Sequence, residues 1–279
     1  MAKGQAQNRQ RAISWPVILF LLVLIVAVLW WRGYDYYTLD LEDRVYHPEY
    51  KNLRSSGLLG YGYGVVGTFL IFANLLYLAR RRFARWNLGS MRAWLDIHVF
   101  TGLAGGAFIL FHSTFKARST ISKATAISLI VVIVTGLVGR FLFALVPKRD
   151  PKALGQAIDD AGKESPGLDA ELRAVLEAHP VKRTRAGFIG ALLALPALRR
   201  TATARREAIS VLAGNAGLDK KLRKRIVAEA YGEPKAVAQA QLLRTWRNMH
   251  RFFAILMLLT VVFHIGVAWY YGYRWIFSG

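Results

Sequence analysis

Apolar residues in this chain of 279 residues gather into five runs, at about 15–31, 58–79, 93–115, 124–146 and 249–271, and the stretches between them collect Lys, Arg, Gly and Pro. Crossing the ~30 Å hydrocarbon layer of a bilayer takes roughly 20 residues of helix. Each run is long enough, and none carries enough charge to stop it from crossing. Lipid cannot satisfy open backbone N–H and C=O groups, so the crossing segments are helical. The pattern predicts an all-α integral membrane five-helix bundle, with spans 1–4 in residues 1–147 and span 5 in 248–279 completing it. Residues 148–247 read differently. They open with Pro147, Asp150 and Pro151 and continue as amphipathic pieces, Leu168 to Ala178, Ala204 to Leu212 and Leu218 to Tyr231, divided by Gly, Pro and Asn. A small helical insertion of four or five short helices is expected there. Within it, Phe188–Leu198 is apolar but too short to span, which suits either the core of the insertion or an interfacial helix.

Composition agrees with a membrane protein: 54% of residues are hydrophobic and the mean hydropathy is positive. The net charge of +21 would suggest nucleic acid in a soluble chain. Here its distribution speaks for topology, with attraction to anionic headgroups, and no nucleic-acid partner is expected. The N-terminal Lys3, Arg9 and Arg11, the turn with Arg80, Arg81, Arg82, Arg85 and Arg92, and the 20 Lys/Arg of 148–247 fall on one side of the membrane. The other side carries 4 in 32–57, 3 in 116–123 and Arg274. By the positive-inside tendency the first side is cytoplasmic, so spans 1, 3 and 5 run outward. Span 1 ends in Trp-Trp-Arg rather than a small-residue cleavage site, and reads as a retained anchor instead of a signal peptide. Cysteine is absent, which excludes disulfides, thiolate-held metal or iron–sulfur clusters, and covalent c-type haem attachment.

Four of the six histidines form two pairs with one spacing, His98/His112 and His250/His264, each inside an apolar run. A separation of 14 residues is about 21 Å of helical rise and about 40° short of whole turns. Both imidazoles of a pair therefore project from one face, near opposite sides of the bilayer. Spans 3 and 5 are parallel in this topology, so His98 meets His250 near the cytoplasmic side and His112 meets His264 nearer the outside. Four imidazoles at two depths match the axial-ligand needs of two stacked b-type haems.

Several neighbours suit a porphyrin. Gly102, Gly105 and Gly106 lie between the histidines of span 3, Gly136 and Gly139 are in span 4, and span 2 begins with Gly57, Gly60, Gly62, Gly64 and Gly67. Small residues admit a flat macrocycle, or equally another helix. Arg140, a charge within span 4, calls for a partner, for which an inner haem propionate and a snorkelling arrangement are the two readings. Asp96 is positioned to cap its helix or pair with the Arg80–Arg85 cluster. Lys116 and Arg118 suit the outer propionates or a plain interface. His47 and His179 have no spacing partner and read as solvated or structural. The aromatic outer end, with Tyr34, Tyr36, Tyr37, Trp269, Tyr270, Tyr271 and Tyr273, reads as an interfacial belt or as the edge of a quinone site.

Two histidines separated by thirteen residues on the third and fifth spans resemble the transmembrane domain of the ferric reductase/NADPH oxidase family and, more loosely, respiratory cytochrome b. The stretches HSTFK at 112–116 and GYRWIF at 272–277 are similar to those of bacterial cytochrome b-like proteins. The resemblance covers about 58–146 and 249–271 and implies that His98, His112, His250 and His264 ligate the irons of two b haems. It departs from the reductases in having no sixth helix, no flavin- or nicotinamide-binding domain, and a 100-residue insertion. The implied activity is transmembrane electron transfer, as one subunit of an oxidoreductase rather than a stand-alone enzyme. Its expected partners are a flavoprotein, an iron–sulfur protein or a c-type cytochrome. The expected location is a bacterial inner (cell) membrane, with the N-terminus and 148–247 cytoplasmic and the C-terminus periplasmic. A quinone-reacting subunit is the alternative within redox chemistry. A non-redox transporter or membrane scaffold is the alternative from another class, and the absorbance bands of reduced b haem discriminate between them.

Overall fold

The computed structural model describes residues 15–83, 89–145, 150, 152–183 and 187–273. Lys3, Arg9, Arg11, Arg85, Pro147, Pro151 and Arg274, together with most of the GYRWIF stretch, lie outside the described residues. Every regular element among those described is helical. Span 1 is α1 (Trp15–Arg32), followed by two short helices, α2 (Tyr34–Thr38) and α3 (Tyr50–Leu53). Span 2 is α4 (Leu58–Ala73) continued by α5 (Leu75–Arg82), span 3 is α6 (Met91–His112) and span 4 is α7 (Thr120–Leu145). The insertion holds α8 (Ala153–Glu164), α9 (Leu168–Ala178), α10 (Phe188–Leu193) and α11 (Leu195–Asn215). Span 5 is the far end of α12 (Lys220–Ala268), closed by a short π-helical turn at Trp269–Tyr273. Five helices are long and apolar enough to cross a membrane, so the chain is a multi-pass membrane protein.

The residues divide into two compact units, 1–136 with 254–279 and 137–253, and the chain passes between them within α7 and within α12. These boundaries lie inside helices, whereas the hydropathy pattern puts them at 147/148 and 247/248.

In the first unit, α4 and α6 approach closely because neither carries a Cβ where they meet. A Cβ on Gly67 would lie 3.0 Å from the Gly105 carbonyl oxygen, and one on Gly105 would lie 3.1 Å from that of Gly67. Gly106 admits Ile133 of α7 in the same way. Ile71, Leu129, Met257 and Val261 then form a core shared by α4, α7 and α12. Hydroxyl pairing adds to it, with Ser128 Oγ 2.9 Å from Thr260 Oγ1. Asn74, between α4 and α5, donates to the Leu70 carbonyl and accepts from Thr101 Oγ1 of α6 at 3.0 Å. The start of α6 is capped by Ser90, whose Oγ accepts from the Ala93 N–H, so capping falls to Ser90 and not to Asp96.

The second unit packs Leu154, Ile158, Leu172, Ile209 and Ile226 into an apolar core. Arg205 of the same unit is only 4% exposed. Its guanidinium donates to the carbonyls of His179 (2.8 Å) and Leu176 (3.2 Å) at the end of α9 and pairs with Glu233 at 2.7 Å. Two expectations are corrected here. Ala204–Leu212 belongs to a helix of 21 residues, and the expected Leu218–Tyr231 piece begins its helix at Lys220 and continues past Tyr231 without a break, as part of a helix of 49 residues that includes span 5. Gly232 and Pro234 read as punctuation in the sequence, yet both are buried inside that helix. Proline removes one helical hydrogen bond and crowds the carbonyl four residues back. Ala230, completely buried in the core, and the Arg205–Glu233 pair hold the helix across that defect.

The glycine contacts predict an asymmetry. Gly62 has nothing within 4 Å of its Cβ position, whereas Gly67 faces backbone that cannot yield. Gly67→Ala is expected to lower the melting temperature in detergent, by the equivalent of about 1–3 kcal/mol, and Gly62→Ala to leave it unchanged or raise it. Equal melting of the two variants would show that this approach does not hold α4 to α6.

Candidate functional site

His112 is the last residue of α6 and is partly buried. Its Nδ1 lies 2.8 Å from the Gly60 carbonyl oxygen. A carbonyl only accepts, so Nδ1 carries the proton and Nε2 keeps its lone pair, the arrangement of a metal-ligating imidazole oriented by backbone. Gly64 makes room for the ring, since a Cβ there would come 2.7 Å from Nδ1. His264, in the same unit, is also partly buried. The structure shows something the spacing leaves open: the face of α6 that carries both histidines and Gly105 fronts α4 and α5.

The chain after His112 turns through Thr114 (φ 52°) and Phe115 (φ 63°), both in the left-handed region without being glycine. Such residues cost on the order of 1–3 kcal/mol each and persist only where the surroundings hold them. Arg44, from the loop between α2 and α3, does the holding. It donates to the carbonyls of Thr114 (2.9 Å), Tyr37 (3.0 Å) and Leu39 (3.1 Å), and its guanidinium lies over the Tyr36 ring. Tyr37, Phe111 and Phe115 pack edge to face with centroids 5.1–5.4 Å apart. The segment after α1 is therefore a folded cap over the C-terminal end of α6.

This corrects part of the aromatic-belt reading. Tyr36 and Tyr37 are buried in the cap, while Tyr34, Trp269, Tyr270 and Tyr271 are exposed as a belt requires. Burial pushes the Tyr36 and Tyr37 hydroxyls above the usual tyrosine range. His47 is structural: its Nδ1 accepts from the Glu49 N–H, and its ring meets Tyr36 edge on. Lys116 and Arg118 are exposed.

Toward the other end of α6, the His98 ring lies 5.0 Å from Tyr77 of α5, and Thr101, one turn on, is bound to Asn74. Asp96 is 2% exposed. Arg80 is also buried and donates to the Gly89 carbonyl, while Arg81 and Arg82 are exposed. In the second unit, His250 stacks on Trp246 at 5.3 Å with the planes 17° apart. Trp246 in turn lies directly against Gly139, leaving no room for a Cβ. Arg140, the next residue, is partly buried. His98 and His250 belong to different units. His179 offers its carbonyl to Arg205.

Five of the ten glycines singled out in the sequence are thus used in packing: Gly67, Gly105 and Gly106 between helices, Gly139 under Trp246, and Gly64 under His112. Gly102 meets only the Asn74 amide, at 3.7 Å. Sequence reasoning missed Gly60, Gly64 and Arg44 as supports of His112, and Tyr77 and Trp246 as neighbours of His98 and His250. Only Trp246 left a signal, four residues before His250 and therefore on its face of the helix. Among the described residues no three His, Asp or Glu side chains gather as ligands for a bare metal ion. A haem iron takes only two axial ligands from the protein, and the seat of His112 fits one of them.

Arg44→Ala removes three charge-assisted hydrogen bonds to partly buried carbonyls, each worth roughly 1.5–3 kcal/mol, and should clearly lower the melting temperature. Arg44→Lys should recover little, because one ammonium cannot reproduce the guanidinium fork. Unchanged melting in Arg44→Ala would show that the aromatic packing holds the turn without it.

No protein-family model, no curated protein and no solved structure matches this chain.

Proposed function

We propose that this protein is a di-haem b-type cytochrome that carries electrons across a membrane as one subunit of a larger redox complex. The observation that carries the reading is the repeated spacing His98/His112 and His250/His264 on two membrane helices. The seat of His112 supports it, with Nε2 left as the free lone pair. In this reading His98 and His250 hold the inner haem, His112 and His264 hold the outer one, and Arg140 supplies positive charge to an inner propionate. When bound, the haems supply one-electron iron chemistry. The chain's own part is ligation, spacing and tuning. The Gly60 carbonyl fixes the tautomer and direction of the His112 ring, and the Arg44 clamp closes the outer end of its helix. Tyr77 lies against the His98 ring, and Trp246 stacks on His250.

The same reading places the protein in a bacterial inner membrane with the N-terminus and 148–247 in the cytoplasm and the C-terminus in the periplasm, from the Lys/Arg asymmetry. Its redox partners are then a cytoplasmic flavoprotein or iron–sulfur protein, or quinol, on one side and an acceptor such as a c-type cytochrome on the other. The exposure of Trp269, Tyr270 and Tyr271 favours an interfacial belt over a quinone edge.

The purified protein is expected to show the sharp α and Soret bands of reduced b haem. His98→Ala and His250→Ala should each reduce the haem content from two to about one per chain, and so should His112→Ala and His264→Ala. Both haems surviving the His98→Ala/His250→Ala double change would end this reading. For topology, a reporter active only in the periplasm should work at the C-terminus and fail near residue 200. The reverse pattern would invert the electron path.

A further inference from the structure

Alternate faces of α10 and the start of α11 have opposite surroundings. Ala191, Leu198 and Ala202 point into the second unit and are at most 5% exposed. Ile189 and Leu193 are 72% and 74% exposed, Leu192 is 47% exposed, and Pro196 and Ala197 extend the same outward stripe. The helices meet at Ala194, itself in the right-handed region, so the spacing i, i+3, i+4, i+7, i+8 continues across the join. An apolar stripe of this kind on a water-soluble surface marks a binding face.

The charges around it indicate what binds. Lys182 and Arg183 precede the stripe, Arg199 and Arg200 follow it, and all four are exposed. Between Glu177 and Glu207 the chain contains no acidic residue. A second copy of this surface would bring basic edges against basic edges, which disfavours self-association. A bilayer surface bearing anionic headgroups matches both parts, with acyl chains for the stripe and phosphates for its rims. At both its ends the second unit continues along helices that cross the membrane. Docking is therefore intramolecular, at high effective concentration, and needs little intrinsic affinity.

We propose that the outward stripe Ile189, Leu192, Leu193 and Pro196, flanked by Lys182, Arg183, Arg199 and Arg200, docks the second unit onto anionic lipid of the membrane that holds the chain. The inference is independent of haem binding.

The chain has no cysteine, so Leu193→Cys creates a single site for an environment-sensitive fluorophore on the full-length protein. Ala174→Cys, exposed on α9, is the control. In phosphatidylglycerol-containing vesicles the label at 193 should shift to the blue, be quenched by lipids with nitroxide-labelled acyl chains, and lose its quenching by aqueous iodide. The label at 174 should remain accessible to iodide. Vesicles of phosphatidylcholine alone, or high salt, should reduce the effect at 193. Arg199→Gln with Arg200→Gln should lower the docked-to-free ratio by about fivefold for each charge removed. A label at 193 that stays open to iodide in anionic vesicles overturns the proposal. So does a label shielded equally in both vesicle types without nitroxide quenching, which would indicate a protein partner or a second copy on this face.

Discussion

Helices α4 and α6 can lay backbone against backbone only because Gly67 and Gly105 lack a Cβ, and much of the first unit inherits its geometry from that approach. Without water between membrane helices the hydrophobic effect gives them no reason to associate, and van der Waals contact between small residues takes its place. Gly64 lies one turn from Gly67 on α4, so the same close approach puts the His112 ring beside it and within reach of the Gly60 carbonyl. At the other end of the pair, Asn74 and Thr101 bind across the helices. The approach thus aligns α6 along its length and fixes the direction in which its histidines face.

The cap over α6 and the second unit solve a common problem with the same residue type. In each, an arginine satisfies carbonyls that no helix can serve: Arg44 at the left-handed turn after α6, and Arg205 at the end of α9. Guanidinium suits this task because its donors form a rigid planar fork that remains charged at every relevant pH. Arg205 and Glu233 also brace α12 beside Pro234. The bracing lies within α12, which runs without a break from Lys220 to Ala268.

In the readings proposed above, charge has two separable roles. Its uneven distribution along the sequence sets the orientation of the spans, while Lys182, Arg183, Arg199 and Arg200 would meet anionic lipid beside the α10 stripe.

The five spans and the all-helical fold were determined by the sequence alone, because hydrocarbon thickness and backbone satisfaction leave no other solution for apolar runs of that length. The Leu168–Ala178 helix was readable for a similar reason, since its amphipathic period has the pitch of an α-helix. The histidine pairs were visible too, because a spacing of 14 residues sets a common face without any tertiary information. Which helix that face meets was not, since a face has a direction only once helices pack. The buried tyrosines of the cap, the Arg44 and Arg205 clamps and the unbroken course of α12 through Gly232 and Pro234 were likewise decided by tertiary structure. Each depends on partners distant in the chain, Arg44 on Thr114 and Arg205 on Glu233. Local propensity carries no trace of such a partner, and long-range packing overrides the breaker signals that local reading must obey.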